Sequence, residues 1–326
     1  TNEPLARPVY LSDSAAAERP AVVWTGTMYL VFWIEADENP FKTGILMQRV
    51  SRDGVALAAP AHLGYAFNIA AAASSAQVAL VFSTFGRVGA IRLTSDGQPI
   101  DTQPLLVTTS DASNPVVASN GTDFLIAWLE GFEGEFPSPD RTDIHAARLG
   151  ASGTVEPSFA IAIGPNNQRS AAIASDGRDY VIVYAEAEPS SGGAVVSKKV
   201  LREGALAGTT ADAPGQLIAT RAEEPLQPAI AALPNGYVVA WEESTGTSYA
   251  ELRLTTIDRS GAPTRDAVLI AGNESLGMTP ALTMTRSGTG SLFYSQLETD
   301  AAYGTSMRLL MSKVGEAPQK RRSARH

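Results

Sequence analysis

The stretch Pro115-Val-Val-Ala-Ser-Asn-Gly-Thr-Asp-Phe-Leu-Ile-Ala-Trp128, followed after a polar loop by Asp143-Ile-His-Ala-Ala-Arg-Leu149, decides the fold. It opens on a short apolar run, turns at Asn120-Gly121, and continues as a strand of β-branched and aromatic residues. A third strand then ends in a basic-apolar pair. The same grammar returns along the chain. Pairing a start residue with the aromatic thirteen places later gives Pro20 and Trp33, Ile69 and Phe82, Pro115 and Trp128, Ala171 and Tyr184, Pro228 and Trp241. The sixth pair is Pro280 with Phe293 or Tyr294. Turn dipeptides such as Asp176-Gly177 and Asn235-Gly236 supply the positive φ that tight turns need. The basic-apolar pair recurs as Arg49-Val50, Arg92-Leu93, Arg148-Leu149, Lys199-Val200 and Lys313-Val314, and the fifth copy replaces it with Thr256-Ile257.

Repeats of four antiparallel strands spaced 49, 46, 56, 57 and 52 residues apart describe the blades of a propeller. The sixth copy stops after its third strand, near Val314, and the residues before Pro20 read as an orphan fourth strand. The expected fold is therefore an all-β, six-bladed β-propeller over residues 1–316. Blades start near 20, 69, 115, 171, 228 and 280, and residues 1–19 complete the last blade so that no long edge is left. Residues 4–12 are expected to pair with Met307–Lys313. Residues 317–326 form a basic tail, read as a disordered end.

Composition narrows the function classes. With 44% apolar and 18% charged residues, the 326-residue chain can bury a large core. There is no cysteine, which excludes disulfides and thiol chemistry. No apolar run approaches the ~20 residues that cross a bilayer. The net charge of −9 becomes −13 once Lys320, Arg321, Arg322 and Arg325 of the tail are set aside, which disfavours nucleic acid. An extracytoplasmic chain, secreted, periplasmic or at the cell surface, is the expected setting, and a monomer the expected state.

Segments such as Ala174-Ser-Asp-Gly-Arg-Asp-Tyr-Val-Ile-Val-Tyr184, with the Asp143–Leu149 strand, resemble propeller repeats of large secreted bacterial proteins. The resemblance covers residues 1–316. It implies the architecture and, since members of that group mostly lack assigned activities, little about chemistry. The Gly-His and Trp-Asp marks of WD40 repeats and the Ser-x-Asp-x-Gly-x-Thr-Trp box of sialidases are missing.

The default site of a propeller is the axial mouth, framed by the two-to-three and four-to-one connections. First strands of Ala, Val and Ile, with Thr283 as the polar exception, offer no oxygen ligands for a channel metal. The residues before each first strand are more polar. Arg19, Asn68, Asn114, Arg169 and Gln227 are the candidate ligand-binding set, for a carboxylate or a sugar; alternatively such residues cap strand ends. A second recurrent feature is aromatic-x-Glu at the end of strand two, giving Glu35, Glu130, Glu186 and Glu243. Paired carboxylates perform glycoside hydrolysis. Repeat-equivalent ones instead suit a structural role, in which the aromatic packs between blades and the Glu answers a neighbouring blade or caps the loop. His62, His145 and His326 are isolated in sequence.

The connections assigned to the mouth face hold 19 acids against 6 bases. Within the longest of them Glu133, Glu135, Asp140 and Asp143 have the oxygens, though not the spacing, of a Ca²⁺ loop. The resulting expectation is a non-catalytic binding propeller with a protein or carbohydrate ligand, no cofactor other than Ca²⁺, and no catalytic residue. A glycan-active hydrolase or lyase using the four glutamates is the alternative.

Overall fold

A computed structural model describes residues 11–12, 16–35, 44–131, 142–164, 166–188, 192–221, 225–244, 250–273, 278–285, 287–300 and 304–315. It is an all-β, six-bladed propeller built of antiparallel sheets taken in chain order, with no helix among the described residues.

The chain divides into two compact units. The first contains three blades: β1 (Ala17–Trp24), β2 (Tyr29–Glu35), β3 (Gly44–Val50) and β4 (Ala61–Gly64); β5 (Asn68–Ala73), β6 (Gln77–Thr84), β7 (Arg87–Thr94) and β8 (Leu105–Thr108); β9 (Ala112–Ser119), β10 (Phe124–Glu130), β11 (Asp143–Leu149) and β12 (Phe159–Ala162). The second contains β13 (Asn167–Ser175), β14 (Tyr180–Glu188), β15 (Gly192–Val200) and β16 (Gln216–Arg221); β17 (Pro225–Leu233), β18 (Gly236–Ser244), β19 (Ala250–Ile257) and β20 (Val268–Asn273); and β21 (Ala281–Met284), β22 (Gly290–Asp300) and β23 (Gly304–Val314). The sixth sheet has three described strands, and the expected pairing of residues 4–12 with Met307–Lys313 falls mostly outside the described residues.

Second strands read as continuous apolar runs because both their faces are covered. In β10, Phe124, Ile126 and Trp128 pack with Ala79, Val81 and Val88 of the preceding blade, while Leu125, Ala127 and Leu129 on the other face are also buried. Period-two alternation thus separates two cores. Trp128 and Trp241 are fully buried, as expected for aromatics held between blades.

The Asn-Gly and Asp-Gly turns work through side chains. Asn120 Oδ1 accepts the N–H groups of Thr122 and Asp123, and Asp176 Oδ1 accepts those of Arg178 and Asp179. After strand three the chain hooks back through a single bridge six residues on, Val50 to Ala56, and the hook recurs from Leu93, Leu149, Val200 and Ile257.

In blades one and two the basic residue that ends strand three clasps the next blade, whereas Arg148 pairs with Asp123 and Glu156, and Lys199 with Asp179, within their own blades. Arg49 donates to the carbonyls of Asp96 (2.6 Å) and Gly97 (3.4 Å). Arg92 grips Asp101 with Nε and Nη2 and donates from Nη1 to the Ala151 carbonyl at 2.6 Å. A Cβ on Gly153 would stand 2.6 Å from that guanidinium, so the turn that receives the clasp needs glycine for space as well as for its φ of +92°. In the second unit it is Ser197, two places before the strand-ending Lys199, whose Oγ donates to a turn of the next blade, the Gly261 carbonyl at 2.8 Å.

Candidate functional site

The recurrent glutamates are accounted for by packing chemistry. An aromatic and a residue two places on lie on one side of a strand. The indole N–H of Trp128 donates to Glu130 at 3.0 Å, that of Trp33 to Glu35 at 3.3 Å, and that of Trp241 to Glu243 at 3.4 Å. A buried indole donor without an acceptor would cost about 1–3 kcal/mol. Each of these three carboxylates therefore answers the aromatic of its own strand, where the sequence suggested a neighbouring blade or a cap on the loop. Glu35 also accepts the Ser12 hydroxyl at 3.1 Å. Glu243 is almost wholly buried and ion-paired to Arg253 at 2.6 Å, and Arg253 in turn holds Glu251. Glu186 accepts the side-chain amides of Asn166 and Gln168, each at 3.3 Å. Burial, and then the Glu186 charge, push the Tyr184 phenol up.

The polar residues expected just before the first strands lie mostly inside them. Arg19 (φ 51°), Asn114 (φ 47°), Ser170 (φ 42°) and Gln227 (φ 45°) have left-handed backbones, and the registers of β1, β9, β13 and β17 shift there. They are bulges, one in the first strand of each of these four blades. The strands begin earlier than the sequence placed them because the chain is already paired before the bulge. The register also settles the sixth aromatic: Ala281 pairs with Phe293, as Ala21 does with Phe32, so Tyr294 stands where Trp33 does. Arg19, Asn114 and Gln227 are exposed and Arg169 is half-buried beside its bulge.

Blade two departs from this pattern. Asn68 opens β5 opposite Ser83, in a register without a shift. Phe82 is followed by Ser83 and Thr84 where four of the other copies place a glutamate. The connection from β6 to β7 is two residues, Phe85 and Gly86, closed by the pair Thr84 and Arg87. Both have positive φ, 28° and 72°. A turn of that kind favours Asn-Gly or Asp-Gly, and a phenylalanine there is strained. Phe85 is nonetheless 67% exposed, and Phe67 is 39% exposed.

These two rings form a cluster with Tyr65. Tyr65 stacks near Phe85 with centroids 5.8 Å apart and 17° between planes, and Phe67 meets Phe85 edge-on at 5.0 Å and 89°. The Tyr65 hydroxyl is shielded from solvent with no hydrogen-bond partner among the described residues, and burial pushes its pKa up.

Hydrogen bonds link this turn to the end of blade three. Ala112 donates to the Gly86 carbonyl at 2.9 Å, and Gly131 donates to that of Asp111 at 3.2 Å. There Glu130 faces Asp143 across the strands, and His145 faces Trp128 with rings 6.5 Å apart. His145 Nδ1 is 3.9 Å from Glu130, close enough for attraction but too far for a hydrogen bond. The structure thus joins a histidine to a carboxylate that the sequence left apart. Asp143 Oδ1 is buried without a partner among the described residues. Glu133, Glu135 and Asp140 lie outside the described residues, and no group of three or more His, Asp or Glu placed to hold a metal occurs among those described. No described helix is long and apolar enough to cross a membrane.

Solved structures sharing this architecture include the subtype N11 neuraminidase-like protein of A/flat-faced bat/Peru/033/2010 (H18N11), with a TM-score of 0.60 at 10% identity over 94% of this chain and 90% of that one. The N10 neuraminidase-like protein of A/little yellow-shouldered bat/Guatemala/060/2010 gives 0.56 at 8% identity, over 93% and 96%. The likeness is one of fold. No family model matches the chain, and no curated protein gives a significant match.

At the opposite strand ends, the one-to-two turns of the second unit frame a cleft of about 450 Å³ lined by Asp176, Leu233, Pro234, Met284 and Thr285 among others. None of the candidate binding, catalytic or metal residues lines it, although the Asp176-Gly177 turn does. Sequence reasoning missed both this cleft and the aromatic cluster. The signals for the cluster were the Phe-Gly pair where the repeat's short turns favour Asn-Gly, and the nearby Tyr65-Ala-Phe67.

Proposed function

We propose that the chain is a non-catalytic, extracytoplasmic binding propeller that engages a protein or carbohydrate partner on the face built from its two-to-three and four-to-one connections. One observation carries this reading: the carboxylates best placed for acid-base work already serve as acceptors for buried indoles, side-chain amides and Arg253. Glycoside hydrolysis needs one carboxyl to give up a proton and a second to attack or to activate water. A carboxylate fixed as the acceptor of a buried indole is poorly placed for either. The surplus of acidic residues in these connections supports a partner met by electrostatic steering.

The test is a turnover screen with neutral and acidic oligosaccharides, read as new reducing ends. No product is expected, and the E130Q and E243Q variants should behave as wild type. Turnover that either variant abolishes would overturn the reading.

A further inference from the structure

We infer that the Tyr65, Phe67 and Phe85 cluster is a carbohydrate subsite that stacks a neutral pyranose of a β-linked chain on the exposed Phe85 ring. The inference rests on the binding reading above and names its ligand class.

Three observations carry it. First, Phe85 occupies the first position of a two-residue turn at φ 28°, where asparagine would be less strained, and the residue is 67% exposed. Neither chain stability nor solubility favours an aromatic in that place. Strain held at an exposed side chain points to use. Second, the ring is supported. Tyr65 stacks on it nearly parallel and Phe67 meets it at 89°, so two neighbouring rings hold Phe85 in place. At centroid separations of 5.0–5.8 Å the rings fill the space between themselves, which leaves no room for the cation of an aromatic cage. Third, the surroundings are polar. Arg87 follows the turn and is exposed, and the Asp111 carboxylate lies beside Gly86, where an added Cβ would be 2.9 Å from Oδ1.

An apolar plate rimmed by a base and an acid matches a pyranose whose hydroxyls are all equatorial. Its axial C–H groups give it apolar faces that rest on a ring, while the hydroxyls at its edge meet charged donors and acceptors. A peptide or lipid would want a larger apolar area than these rings expose.

Binding is tested by native electrophoresis through gels containing hydroxyethylcellulose, xyloglucan or glycol chitin, using wild type, Phe85→Asn and Phe67→Ala. Wild type should be retarded in at least one gel. Phe85→Asn, which restores the favoured Asn-Gly turn, should melt no lower than wild type and bind about tenfold or more weakly, as for loss of an aromatic anchor. Retardation of wild type in none of the gels, or equal retardation of Phe85→Asn, would overturn the inference. Reducing ends are assayed in the same mixtures. Their release would break the non-catalytic reading while leaving dependence on Phe85 standing.

Discussion

Blades two and three are consecutive copies of one repeat, yet they spend their strand-two ends differently. Blade three keeps the full grammar: a bulge at Asn114, an indole on Glu130, and a twelve-residue connection between β10 and β11. Blade two has no bulge in its first strand, no glutamate at the end of its second and a turn of two residues. In blade three the polar groups near the loop face hold the fold together. In blade two the equivalent groups are gone, and the turn instead presents an aromatic ring to solvent. Recurrence therefore marks structure here, and the lapse in recurrence marks the place to look for function.

The contrast is broken most directly by Trp128→Ala. It should cost about 3–5 kcal/mol in denaturant unfolding, as for other large core deletions. A near-neutral result would show that the indole is not what seats the end of β10. The milder Trp128→Phe, combined with Glu130→Gln in a double-mutant cycle, should give a coupling of about 0.5–1.5 kcal/mol for the indole–carboxylate bond.

Next in size is Arg92→Ala. Asp101 is largely buried, and losing its guanidinium partner together with the clasp on Ala151 should cost about 2 kcal/mol, less than a fully buried pair would. Arg92→Lys should recover only part, since one ammonium cannot hold both contacts.

A smaller effect is pH-dependent. The Arg92 hydrogen bond holds the Asp101 carboxyl below its ordinary value. A depressed folded pKa contributes stability above the unfolded value of about 3.9 and loses it as pH falls through the folded one. Unfolding free energies at pH 7 and pH 3 should therefore converge more in Asp101→Asn than in wild type. The smallest expected change is a gain: Phe85→Asn should stabilise by about 0.5–1 kcal/mol through relief of the turn, seen as a raised melting temperature.

Much of the architecture was legible in the sequence because the strand pattern and turn dipeptides repeat, and a repeat averages out local ambiguity. The burial of Trp128 and Trp241 followed from the same alternation. The partner of each glutamate did not. Placing Trp128 and Glu130 on one face is a matter of period, but whether the carboxylate turns inward to the indole or outward to the next blade depends on rotamers. The bulges were invisible for a related reason. A residue such as Asn114 before a proline reads as the entrance to a strand, and only the pairing of Ser113 with Leu129 shows that the strand had already begun. The Phe85 cluster joins residues from two connections, and although Phe85-Gly86 and Tyr65-Ala-Phe67 are each visible as local oddities, nothing in the sequence says that they meet.

The strand-three clasp has a consequence for how such a chain can change. Arg49 and Arg92 address backbone carbonyls in the turns they reach, and the receiving turn contributes little beyond a glycine that leaves room. Recognition between neighbours is thus nearly blind to side-chain identity on the receiving side. Most substitutions in those turns are silent to the joint, so one copy can drift far from its siblings, as the second has, without loosening its hold on the copies beside it.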